Sequence, residues 1–179
     1  TYDGASSTTF LPTWNFSRTK TELDANRTQW TLVYTEPDTG GLQVTCQVIE
    51  YHDYQAVEWV VWFENHGSAN TPILENIQAL DAVFGSNSSG DFTLYYNGGT
   101  NNSIDDYQPL QTTLGIHANQ SFVPYGGRPS DLVLPFFNLA QPDGSGIMLG
   151  IGWTGQWEAV FARNSDATVN VQAGMENTH

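Results

Sequence analysis

Nineteen Asp and Glu side chains are the most numerous proton-exchanging groups in this 179-residue chain, beside five Lys and Arg, four His and one Cys. A pair of carboxyl groups, one charged and one protonated, is the usual means of running acid/base chemistry on a neutral substrate. The pairs that stand out are Glu58 with Glu64 and Glu75 with Asp81. On a strand Glu58 and Glu64 would share a face, but at ~3.3 Å per residue they would lie about 20 Å apart. The sequence therefore nominates no catalytic residue. His52, His66, His117 and His179 show no metal-ligand spacing with one another or with Cys46, and read as loop or solvated side chains. The stretch NSIDDYQ around Asp105 and Asp106 lacks the alternating acids and closing Glu of a calcium loop. No metal and no cofactor is expected.

Binding chemistry has better candidates. In MLGIGWTGQWEAVF, residues 148–161, Trp153 and Trp157 stand four apart with Thr154 and Gly155 between them. In a hairpin they would flank the turn and pack across it. Either both are corner or core packing, or at least one indole stacks on a sugar face, which needs hydrogen-bonding groups nearby. In YGGRPSD, residues 125–131, Arg128 sits in a rigid Gly/Pro loop with Tyr125. Arg128 either bridges to a local acid or turns its five-donor fork towards a ligand.

The formal net charge of −14 opposes binding of polyanions, so nucleic acid and anionic membranes are not expected partners. A neutral ligand such as a sugar is left open. Cys46 shares a strand face with Val44 and Val48 and reads as a small buried hydrophobe. As the single cysteine it can form no intrachain disulfide. N-x-S/T sequons begin at Asn15, Asn26, Asn87, Asn101 and Asn119, which points to an extracellular or periplasmic location. No signal-like segment opens the chain, so a leader is absent or already removed.

The elements that must position these residues are strands. Aromatic residues make up 13% of the chain, beside 17 Gly and abundant Thr, Ser and Asn, a mixture suited to strands and turns. WTLVYT from Trp30, LQVTCQVIEY from Leu42 and AVEWVVWFEN from Ala56 read as a meander. The last is apolar on both faces, which predicts a mid-sheet strand stacked on another layer. Ile73–Leu80 is read as a strand. Residues 97–135 read as long loops with short strands at Gln111–Gly115 and Phe122. Strands resume in LVLPFFNLAQ, IMLGIGWTGQWEAVFAR and ATVNVQAGM. The fold class is thus all-β, a two-sheet antiparallel β-sandwich, with residues 1–179 forming one domain.

Three ordered stretches, AVEWVVWFENHGSANTPILENIQALD (56–81), GGRPSDLVLPFFNL (126–139) and GIGWTGQWEAVFAR (150–163), resemble the N-terminal β-supersandwich domain of α-galactosidases of the glycoside hydrolase family 36 type. The resemblance covers most of the chain. It implies a sandwich placed ahead of a catalytic (β/α)₈ barrel, in an enzyme that releases α-linked galactose with retention. That chemistry uses two carboxyl groups about 5–5.5 Å apart, and in the family both lie in the barrel. No segment here resembles the barrel motifs, so the chain reads as a non-catalytic domain, cut at its C-terminal end. Its implied partners are a barrel in the same or an associated chain, galactose-containing carbohydrate contacted through Trp153, Trp157, Arg128 or Tyr125, and further copies in a homo-oligomer. Two other readings stay open: an independent carbohydrate-binding module, and an interaction domain with no sugar contact.

Overall fold

The computed structural model describes residues 1–37 and 41–175. His179 and part of the EPDTGG connection lie outside the described residues. The chain divides into two compact units, Thr1–Glu75 and the segment from Asn76 onward.

The first unit is an antiparallel meander of β1 (Asn15–Asp24), β2 (Arg27–Thr35), β3 (Leu42–Tyr51) and β4 (Ala56–Asn65), in sheet order β1-β2-β3-β4. The cross-strand register places Trp30, Leu32, Tyr34, Val44, Cys46, Val48, Trp59, Val61 and Phe63 on one face. Cys46 is half-buried there, and burial pushes its thiol pKa up. The other face is rich in Thr and Gln. A short helix α1 (Ser7–Phe10) and a 3₁₀ turn (Leu11–Thr13) precede the sheet. Tyr2, Trp14 and Leu42 form a buried cluster with Phe10, Leu11, Tyr34, Val44, Phe63 and Leu74 around it. The Tyr2 and Trp14 rings meet edge-on at 5.8 Å.

One expectation is corrected here. The AVEWVVWFEN strand is not mid-sheet: β4 is an edge strand, with Val57, Val60 and Trp62 each more than half exposed. An apolar pattern on both faces records side-chain type, and edge and central strands can share it. β1 adds a strand that the sequence pattern did not reveal. All ten of its residues are exposed, so no buried period marks it, and it is held by pairing with β2.

Tyr2 gives this unit an alkaline limit. Its hydroxyl donates to Glu36 Oε2 at 3.2 Å, and burial, followed by that carboxylate, pushes the phenol up to about 12. The unfolded phenol titrates near ~10. Stability is therefore intact below pH ~10 and falls as pH rises towards 12, because the unfolded chain releases a proton that the folded one keeps. Alkaline unfolding curves should show this loss in the parent and a flatter profile in Tyr2→Phe.

The second unit is a two-sheet antiparallel sandwich. Its strands are β5 (Gln78–Gly85), β6 (Phe92–Gly98), β7 (Pro109–Leu114), β8 (Asn119–Phe122), β9 (Val133–Ala140), β10 (Gly146–Gly150), β11 (Trp157–Ala162) and β12 (Thr168–Met175). One sheet runs β10-β9-β6-β7 and the other β5-β12-β11-β8. Alternate residues of both sheets, among them Phe92, Leu94, Phe137, Leu139, Trp157, Phe161, Val169 and Val171, form one core. Strict alternation in WEAVFA and TVNVQA produces this inward set. The strand expected at Ile73–Leu80 starts later, at Gln78, after Asn76 takes a positive φ of 50°. The loops expected between 97 and 135 are present and carry β7 and β8.

Candidate functional site

Three of the four sequence-nominated side chains are presented by two loops at one end of the sandwich, residues 123–132 and 151–156. Both are fixed from below. The Trp157 indole Nε1 donates to the Pro129 carbonyl at 2.8 Å, and the Gly127 N–H donates to Gln156 Oε1 at 3.3 Å. Gly126 and Gly127 both have φ of +70°, a left-handed conformation that suits glycine. Arg128 Nη2 donates to Asp131 Oδ2 at 2.9 Å, with that carboxylate largely buried and the guanidinium side chain 59% exposed. Asp131 also bridges in parallel to Thr100, and the Thr100 N–H donates to the Ser130 carbonyl. Gly99 makes that approach feasible, because a Cβ there would sit 2.6 Å from the Val133 nitrogen.

On this base Tyr125 is 61% exposed and Trp153 46% exposed. The Trp153 indole folds over Gly155, where an added Cβ would lie 2.8 Å from Nε1. Trp157 does the opposite work: it has no exposed surface and its ring meets Phe137 edge-on at 5.9 Å. Of the two indoles, Trp157 is core and Trp153 is surface. They do not flank a hairpin, because β10 and β11 belong to different sheets and residues 151–156 cross between them. Two aromatic-rich strands in sequence look alike whether the connection returns within a sheet or crosses to the next.

A cleft that the sequence did not signal lies at the tip of the meander. Asp24, Ala25, Asn26, Arg27, Tyr51, Asp53 and Tyr54 line a cleft of about 430 Å³ formed by the β1–β2 and β3–β4 turns. Arg27 Nε and Nη2 donate to Asp24 Oδ2 at 2.8 and 2.7 Å, and the Asn26 N–H donates to Asp24 Oδ1 at 2.9 Å. The guanidinium, then the backbone donor, holds the Asp24 carboxyl below its ordinary range. The Tyr51 hydroxyl donates to Glu58 at 2.9 Å, which raises the phenol pKa. Tyr54 leaves its ring 73% exposed at the rim.

Of the acids weighed in the sequence, Glu58 and Glu64 are engaged separately, while Glu75 and Asp81 fall in different units. Glu58 accepts from Tyr51, whereas Glu64 accepts from Gln43 at 3.3 Å and lies 3.6 Å from His66 Nε2. Asp106 accepts the Asn101 N–H and the Thr100 hydroxyl, both at 2.8 Å, which lowers its pKa and folds its own loop. All five cations also have local roles: Arg18 lies 5.1 Å from the Trp30 ring centre, and Lys20, Arg27, Arg128 and Arg163 pair with Glu22, Asp24, Asp131 and Asp91.

No protein-family model matches the chain, and no curated protein does. Solved structures match. The GH36 alpha-galactosidase AgaA from Geobacillus stearothermophilus is similar over 91% of this chain, at 17% identity and a TM-score of 0.65. An alpha-galactosidase from Lactobacillus brevis is similar over 91%, at 12% identity and a TM-score of 0.60. The chain spans 24% and 23% of those two chains. The likeness is one of fold, and it is to part of the kind of enzyme that the sequence motifs resemble.

Proposed function

We propose that this chain is a non-catalytic domain of an α-galactosidase-like glycoside hydrolase, which braces a catalytic (β/α)₈ barrel in the same or an associated polypeptide. The observation that carries the reading is the fold likeness, which takes in nine-tenths of this chain but only about a quarter of each α-galactosidase. The separate engagement of Glu58 and Glu64 agrees with chemistry housed elsewhere. A location outside the cytoplasm is part of the proposal, supported by the exposure of all five sequon asparagines. So is contact with a galactose-containing sugar, at the loop end through Tyr125, Arg128 and Trp153 or at the tip cleft through Tyr54. Trp157 leaves that set because its ring is enclosed.

Incubation of the 179-residue chain with an aryl α-galactoside should give no turnover. Turnover abolished by Glu58→Gln or Glu64→Gln would sink the reading. Calorimetric titration with galactose and raffinose tests the sugar contact: millimolar binding weakened by Trp153→Ala or Tyr54→Ala supports it, and heats unchanged in both variants remove it. The exposed Trp153 and Tyr125 favour one second reading, a stand-alone carbohydrate-binding module, for which micromolar binding without any barrel is the expected result.

A further inference from the structure

The outward face of the β10-β9-β6-β7 sheet uses none of the residues of the two sites above, and it differs in composition from the outward face of the other sheet of its own sandwich. The register lines up Met148, Asn138, Tyr95 and Gln111 as one row across all four strands. Gly146, Ala140, Thr93 and Thr113 form the row beside it, and Gly150 with Phe136 begins the row on the other side. With strands ~4.8 Å apart, each row spans about 14 Å.

Three features make this face a platform. First, it bears no charged side chain in a protein of net charge −14, whereas the outward face of the opposite sheet carries Asp81 and Glu158. Second, Met148, Phe136 and Tyr95 are 84%, 59% and 43% exposed. Among the described residues no partner accepts from or donates to the Tyr95 hydroxyl or the Asn138 and Gln111 amides. Third, the floor is kept low by glycine. A Cβ at Gly146 would lie 3.0 Å from Asn138 Oδ1, and one at Gly150 would lie 3.5 Å from the Phe136 ring.

We propose that this face binds an extended, uncharged polysaccharide strand, laid across the rows. The Tyr95 and Phe136 rings would take the C–H faces of the sugars, while Asn138, Gln111 and the two threonines would serve their hydroxyls. The charge pattern selects this occupant: a face free of carboxylates in an acidic protein suits a neutral chain and offers no cation to a charged one. The core of a protein interface is likewise poor in charge and rich in Tyr, Phe and Met, but it keeps its hydrogen-bonding groups mostly at the rim. Here the amides and the phenol lie in the middle row. This inference is independent of the proposed barrel association and uses residues other than those of the loop end and tip cleft.

Affinity electrophoresis of the full 179-residue chain through gels containing mixed-linkage β-glucan, arabinoxylan or glucomannan, neutral polymers chosen without galactose side groups, tests it, with polygalacturonate as the charged comparison. At least one neutral polymer should retard the protein and polygalacturonate should not. Tyr95→Ala and Phe136→Ala should each weaken retardation about tenfold, with melting curves near the parent's because both rings are exposed. Val83→Ala, on the outward face of the opposite sheet and 64% exposed, should leave it unchanged, so that loss of exposed apolar surface elsewhere cannot imitate loss of this site. No retardation by any neutral polymer, or retardation that survives both ring substitutions, would overturn the proposal. So would self-association of the parent, seen by sedimentation, that Phe136→Ala abolishes, since the face would then be a contact between copies.

Discussion

Replacing Arg163 by alanine is expected to remove about 3–5 kcal/mol of folding stability, because it takes the donor from four carbonyl oxygens, each costing about 1–3 kcal/mol where it stays buried. Arg163 is 2% exposed and uses every donor it has. Nε donates to the Ser165 carbonyl at 3.2 Å, Nη1 to Asp91 Oδ1 and the Leu114 carbonyl at 2.6 Å each, and Nη2 to the Gly90 and Asp166 carbonyls at 2.9 and 3.0 Å. The guanidinium also lies 5.4 Å from the Phe92 ring centre. It therefore ties the end of β7, the turn before β6 and the β11–β12 turn to one point. Asp91 is 55% exposed and can rehydrate, so the loss falls mainly on carbonyl oxygens left without donors. Lysine supplies three donors in place of five, and Arg163→Lys should recover only a minority of the loss. Urea unfolding is the measurement: the midpoint should drop with little change in slope. A midpoint for Arg163→Ala close to the parent's would show that the carbonyls find water instead.

Gly174→Ala should be nearly as damaging, by about 3 kcal/mol or more. β12 and β5 change register between Ala173 and Gly174, and the buried Gly174 lies against the chain entering β5. An added Cβ would press on the Ile77 carbonyl oxygen, 2.8 Å from the Ile77 carbonyl carbon and 2.9 Å from Gln78 Cα. Those are backbone atoms, and the same Ile77 carbonyl accepts the Met175 N–H at 3.1 Å. The methyl can be admitted only by pushing β5 away and losing that bond. Gly152→Ala is the matched comparison: nothing lies within 4 Å of its Cβ position, so its change should stay within ~0.5 kcal/mol. Hydrogen exchange should show lost protection along β5 in Gly174→Ala and none in Gly152→Ala.

The strands of the sandwich were legible because WEAVFA and ATVNVQA alternate, and alternation is what a half-buried strand imposes on its sequence. Arg163 carried a readable signal that went unused. It continues the inward phase of Trp157, Ala159 and Phe161, and a cation at an inward position must be fully hydrogen-bonded. β1 and the edge position of β4 were not legible. Exposed residues such as Thr19 and Thr21 have no burial period, and apolar Val60 and Trp62 look the same on a covered surface as on an open one. The Trp153 and Trp157 spacing could not separate a hairpin from a crossing, since that choice rests on pairing with the distant β9 and β12. The tip cleft and the uncharged sheet face escaped for a related reason: each is assembled by register among segments far apart in the chain.

The crossing between Gly150 and Trp157 also limits how the sandwich can move. Its far end is seated in the core as an indole, and that indole is latched to Pro129 on the approach to β9, while its near end is the last residue of β10. For one layer to slide over the other, the Trp157 ring would have to leave its socket. Shear between the layers would break the Trp157–Pro129 hydrogen bond, and hydrogen exchange in this unit should be fastest at the rims that carry Ile104 and Tyr125.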